Sequence, residues 1–88
     1  MRISVTRSGG FAGIERRADL DTAGRPDATH LAALAHQAVE SGAPAAMRGV
    51  PDGFHYEITV DGRTVHAADP HLSDAQRELV RTVLKEGT

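Results

Sequence analysis

Cysteine is absent from the 88 residues, which excludes a disulfide, a thiolate nucleophile and any cysteine-ligated metal. Tryptophan is absent too, and two Phe and one Tyr are the whole aromatic complement, so the core must be built from Ile, Leu, Val and Ala. No apolar run approaches the roughly 20 residues of a membrane-spanning helix, and no charged-then-apolar leader opens the chain. Such a chain is expected to be soluble and cytoplasmic, with no membrane partner. Neither charge sign dominates: the formal net charge is −2, without the basic patch that nucleic-acid binders carry. Arg16 and Arg17 are the one adjacent basic pair, and Glu15 and Asp19 beside them make it read as a solvated strand face. Lysine occurs once against nine Arg in an Ala-rich chain, a bias expected of a GC-rich bacterial genome.

What is present suffices for one domain over residues 1–88, with little core to spare. Arg2 to Arg7 alternates, Ile3 and Val5 on one face and Arg2, Ser4 and Thr6 on the other, the period of a half-buried strand. Ile14 to Leu20 can pair back onto it with Ile14, Ala18 and Leu20 inward. Arg16 falls on that inward face, which suits an edge or bulged strand. After a turn-rich linker, Leu31, Leu34, Ala35 and Ala38 recur at helical spacing from Ala28 to Ser41, with Asp27 placed to cap the start and Gly42 the stop. Residues 42–53 have no periodicity and form the longest loop, with Ala45-Ala46-Met47 its apolar part. Phe54 to Val60 and Arg63 to Ala67 flank Asp61-Gly62, the pair favoured in a type I′ hairpin turn. That register sends Phe54, Tyr56, Ile58, Val65 and Ala67 to the core and sets Glu57 opposite His66 and Thr59 opposite Thr64 outside. Ser73 and Gln76 form a capping box for a last helix whose stripe is Ala75, Leu79, Val80, Val83 and Leu84. The order ββαββα predicts an α+β fold: a four-stranded antiparallel sheet with both helices on one face and the other face wet.

Catalysis finds little support. His30 and His36 are six residues apart on one helix and point in different directions. His55, Glu57 and His66 share the wet hairpin face and are the one cluster resembling a metal or hydrolytic site, although a solvated cross-strand pair is the favoured reading. His71 falls in an exposed turn. Neither Ser8 nor Ser73 has a base placed beside it by sequence. No zinc-protease helix motif, phosphate loop or dinucleotide fingerprint is present, and Gly9-Gly10 with Gly13 leads into a strand, not the helix N-terminus that phosphate binding uses. The chain reads as a non-enzyme with no metal and no cofactor.

Arg7-Ser-Gly-Gly-Phe-Ala-Gly13 is the distinctive stretch. Its glycines permit tight bends and close approach by another chain. Burying a Phe ring is worth roughly 1.5–3 kcal/mol, so Phe11 has two readings. It folds under the sheet to close the small core, or it stands outward for a partner's pocket.

The opening from Ile3 to Ile14 resembles the emfourin-like proteins, small bacterial inhibitors of thermolysin-type zinc metalloproteases (the protealysin inhibitor family). Arg7, Gly9, Gly10, Phe11, Ala12, Gly13 and Ile14 carry the resemblance, and chain length and the Tyr56 to Gly62 hairpin are similar too. The resemblance implies an inhibitor that binds a thermolysin-like zinc metalloprotease through Arg7, Ser8, Gly9, Gly10, Phe11, Ala12 and Gly13, with Phe11 as the anchor in the enzyme's cleft. A protein–protein interaction or assembly module without a protease target is the alternative. One ring is not enough for nanomolar binding, which takes roughly 12 kcal/mol. Asp61-Gly62, the 42–53 loop and Arg7 are therefore candidates for further contacts. A monomer is expected, with a dimer through an edge strand as a further possibility.

Overall fold

The computed structural model describes residues 1–9, 15–43 and 53–88. Six elements follow one another: β1 (Arg2–Gly9), β2 (Arg16–Asp21), α1 (Ala28–Ser41), β3 (Phe54–Val60), β4 (Arg63–Ala68) and α2 (Asp74–Glu86). The strands form one antiparallel sheet in the order β2-β1-β3-β4. This is the α+β, ββαββα architecture that the patterning predicts. Ile14, expected inward on β2, and the Ala45-Ala46-Met47 tract lie outside the described residues.

Cross-strand register sorts the inner face into three rows. Leu20, Ile3 and Val60 make the first, and Ala18, Val5, Ile58 and Val65 the second. All seven are buried. The third row is Arg16, Arg7, Tyr56 and Ala67, in which the β2 and β1 positions are charged. The opposite face carries Asp19, Ser4, Thr59 and Thr64, then Arg17, Thr6, Glu57 and His66, all half-buried or exposed. Thr59 and Thr64 share a hydroxyl hydrogen bond of 2.9 Å. Asp61 (φ 48°) and Gly62 (φ 87°) both take positive φ, the requirement of the expected type I′ turn.

α1 occupies the expected span and buries Leu31, Leu34, Ala35, Ala38 and Val39. Its start differs from expectation. The Asp27 side chain makes no cap bond; its carboxylate is taken instead by Arg25, through Nε at 2.9 Å and Nη2 at 3.2 Å. Arg25 also reaches Glu86 at 2.7 Å, tying the linker to the end of α2. An ion pair has displaced a cap. Gly42 ends the helix at an ordinary φ of −81°, so conformational freedom is not its role. A Cβ there would lie inside the Val65 side chain, which packs directly on the glycine.

α2 has the expected capping box: Ser73 Oγ accepts from the Gln76 amide at 3.1 Å, and Gln76 Oε1 accepts from the Ser73 amide at 2.9 Å. Gln76 does more than cap. It is 1% exposed, and its Nε2 donates to the Ala38 carbonyl at 3.1 Å, joining the start of α2 to α1. Ser41 and Ser73 hydroxyls meet at 3.1 Å, and His30 meets Glu78 at 2.7 Å, on the same seam.

Among the described residues each sheet edge carries one backbone bridge. Ala43 exchanges hydrogen bonds with His66 on β4 at 2.9 and 2.7 Å, and Thr88 does the same with Asp19 on β2 at 3.0 and 2.9 Å. Edge-to-edge pairing with a second copy would compete with both.

Replacing Gly42 by Ala is expected to destabilise the fold by about 1–3 kcal/mol, the cost of overpacking a filled core, read from the urea midpoint. A wild-type midpoint would show that Val65 can move aside. A second expectation concerns acid. Asp19 titrates below the usual carboxylate value of 3.8, chiefly because the Ser4 hydroxyl donates to it and then because Arg17 and Arg2 are near. Asp27 does so chiefly through Arg25. Both contributions are complete above the ordinary carboxylate pKa and drain away as pH falls through the lower folded values. The melting temperature should thus hold between pH 5 and 7 and fall below roughly pH 4. Asp27→Asn should lower it at pH 7 and flatten the acid limb, and an unchanged acid limb would remove Asp27 from the account.

Candidate functional site

Antiparallel pairing brings the distal end of β1 to the start of β2, the start of β3 and the end of β4. Arg7–Arg16 is the last register pair before residues 10–14, and Gly9 pairs with Phe54. Gly9 sits at φ 84°, a conformation that disfavours any side chain, and a Cβ there would stand 3.0 Å from the Gly53 carbonyl oxygen. Its close approach is to its own chain. Among the residues expected at the site, Arg7, Ser8 and Gly9 are placed in β1, while Gly10, Phe11, Ala12 and Gly13 lie outside the described residues.

The further contacts expected around this bend divide by position. Gly53 and Ala43, which bracket the long loop, adjoin Gly9 and His66. Asp61-Gly62 does not: it follows β3, whose other end pairs with Gly9, so about 20 Å of strand lies between them. The hairpin turn instead holds the N-terminal end of β1, where Asp61 Oδ1 accepts from the Arg2 amide at 2.9 Å. It belongs to the opposite end of the molecule.

Two hollows lie at this end of the sheet, one on each face. On the helical face a groove of about 490 Å³ runs between the third row and α2. Tyr56, Leu72, Val80 and Leu84 provide its apolar lining, and Arg7, Arg16, Arg77, Arg81 and Lys85 its charge, against one carboxylate, Asp69. The Arg7 guanidinium carbon lies 4.4 Å from the Phe54 ring centroid, a cation–π contact. Phe54 is in turn tilted against Tyr56 with centroids 6.3 Å apart. Arg7 Nε is shielded from solvent and has no hydrogen-bond partner among the described residues. Arg16 Nη2 donates to the Leu84 carbonyl near the C-terminus of α2, where helix dipoles favour a cation. Burial raises the Tyr56 hydroxyl pKa, Asp69 adds to the rise and Arg7 opposes it.

On the open face Thr6, Ser8, Glu15, His55, Glu57 and His66 line a polar hollow of about 300 Å³. Glu57 stands opposite His66, as the register predicts. Among the described residues no three His, Asp or Glu side chains come together in a way that could hold a metal ion. Glu57 is exposed there, and His55, opposite Ala68, and His66 are half-buried. Ser73 is spent on its helix cap. No helix of the described residues is long and apolar enough to cross a membrane.

No curated protein and no solved structure matches the chain. The Emfourin family model matches residues 5–84, from the middle of β1 to the last turns of α2, and so includes the whole Arg7–Gly13 motif. The chain therefore belongs to the emfourin family, known as protealysin and metalloprotease inhibitors and not as enzymes.

Proposed function

We propose that this protein inhibits a thermolysin-like zinc metalloprotease by laying residues 7–13 in the active-site cleft, with Phe11 as the anchor. The observation that carries this reading is family membership over a span that contains the complete glycine-flanked motif. The fold supports it. Residues 10–14 run between Gly9 and Glu15, and both flanking strands are locked by register into a four-stranded sheet. A segment with both ends fixed loses less conformational freedom on binding than a free peptide of the same sequence. In such a cleft the glycines allow the backbone to follow the enzyme's surface as a substrate would, while the Phe11 ring fills an apolar pocket. Inhibition then needs no chemistry from the inhibitor; it needs only occupancy.

Phe11→Ala should raise the inhibition constant against a thermolysin-like enzyme roughly 30-fold or more, the effect of losing about 2 kcal/mol at a central anchor. Its circular dichroism spectrum and melting temperature should match those of the wild-type protein. A variant that inhibits equally well removes Phe11 as the anchor, and a variant that unfolds assigns the ring to the core. If the wild-type protein leaves every such protease untouched, the chain is an interaction module for some other partner.

A further inference from the structure

The proposed loop is too small to be the whole interface. A standard interface takes roughly 800 Å² from each partner, about one seventh of this protein's 5348 Å², which is more than a seven-residue bend supplies. The contact must spread from the bend to one of its two flanks, and the flanks differ in chemistry.

The open-face hollow holds two carboxylates, two imidazoles and no Arg or Lys. The groove under α2 is its opposite in charge. It gathers five cationic side chains against one carboxylate, a formal +4, on a chain whose formal net charge is −2. The segregation is built into α2. Arg77, Arg81 and Lys85 follow one another at four-residue steps and so share one side, where like charges repel. Two acids of the same helix are used elsewhere, Glu78 on His30 of α1 and Glu86 on Arg25 of the linker. Asp74, the third, stands 3.4 Å from Arg77 and is fully exposed. Among the described residues Arg7, Arg81 and Lys85 have no carboxylate partner within 4.0 Å. Arg7 Nε in addition is a buried donor without an acceptor there. Unpaired donors shielded from water are costly, and a carboxylate ligand would relieve the cost. Beneath the cations, Tyr56, Leu72, Val80 and Leu84 offer an apolar floor.

We propose that this groove is a second docking site, taking an acidic segment of the target metalloprotease's surface that carries an apolar side chain. The assignment rests on the protease-inhibitor reading, and charge complementarity fixes the chemistry of the segment. Arg7 and Arg16 form the last register pair of the strands that lead into and out of residues 10–14, so the groove starts at the ends of the cleft-binding segment and one partner meets both. The loop supplies blockade. The groove supplies orientation and speeds association, because charge of one sign at a concave surface raises encounter rates.

The test measures inhibition of a thermolysin-like protease from 25 to 500 mM salt, by wild-type protein, Arg77→Glu/Arg81→Glu and Phe11→Ala. The wild-type association rate should fall with salt. The charge-reversed variant should associate roughly tenfold more slowly at low salt and lose most of the salt dependence. Phe11→Ala should keep the wild-type salt slope and lose affinity through faster dissociation. Should the reversed variant fold poorly, Arg77→Gln/Arg81→Gln asks the same question without reversal. A folded variant with wild-type rates and salt slope overturns the groove while leaving the inhibitor reading intact. If wild-type protein inhibits no such enzyme, the inhibitor reading fails instead. The groove is then decided by nuclear magnetic resonance titration with an end-capped Glu-Leu-Glu-Glu-Leu-Glu peptide and its Gln counterpart. Shifts at the Arg7 Nε–H and along α2 with the Glu peptide alone support the groove, and equal or absent shifts sink it.

Discussion

The structure depends on where the apolar alternation of β1 stops. Ile3 and Val5 hold the centre of the inner face, each flanked by buried residues on both neighbouring strands. One step of period two further on, the inward position is Arg7, paired with Arg16 on β2 and with Tyr56 on β3. The helices can therefore bury the second row completely, the first except for exposed Arg63 at its β4 end, and only the β3–β4 half of the third. With three aromatic residues in the chain there is little bulk to fill the remaining corner. The third row stays open on the β1–β2 side, and the groove under α2 is that unfilled corner. A small domain gains so little margin from its core that leaving a corner open is a real cost, which gives the corner functional interest.

The way the sheet is closed elsewhere narrows where a partner can engage. Unpaired sheet edges invite other chains, and natural proteins obstruct them. Here the β4 edge is occupied at His66 by Ala43, and the β2 edge at Asp19 by Thr88. Gly87 makes the second bridge possible by approach and not by unusual φ: a Cβ there would stand 2.7 Å from the Asp19 carbonyl oxygen. The Asp61-Gly62 turn is likewise committed, bonded to Arg2 at the far end of the sheet. What remains is the end where Gly9, Arg16, Gly53 and Asp69 come together. Strand ends, not strand edges, present this protein's distinctive residues.

Much of this was legible in the sequence, and what was not has identifiable causes. Strand alternation, the Asp61-Gly62 turn, the span of α1 and the Ser73–Gln76 box are local signals, and each appears as read. The failures are tertiary. Asp27 looks like a helix cap, but its carboxylate meets Arg25, which also bridges to Glu86, 61 residues away. Gly42 ends α1 as expected, but what requires glycine there is Val65 of β4, which leaves no room for a Cβ. Gln76 reads as a capping residue only, since nothing in its neighbourhood announces the Ala38 carbonyl. The groove was half visible. Arg16 stood out as a charge on an inward face. What joins it to the cations of α2 is the pairing of β1 with β2 and the packing of α2 above it, which no spacing within either element reveals.

Arginine is the residue suited to such a corner. Its aliphatic stem covers apolar surface while its head remains available, so Arg7 can lie over Phe54 in a favourable contact and still present donors. A lysine would bring a compact, strongly hydrated charge that stacks less well and pairs with a carboxylate at a single point. An apolar residue at position 7 would bury more area in the free protein, yet it would close the groove and leave nothing to recognise charge. The cation–π contact holds the guanidinium in place before any ligand arrives, so less freedom is lost on binding. Four of the five groove cations are arginines, and two of these are fixed from behind, Arg7 by Phe54 and Arg16 by the Leu84 carbonyl. The same two side chains that stop the core from closing therefore form a rigid cationic wall at the strand ends that flank residues 10–14.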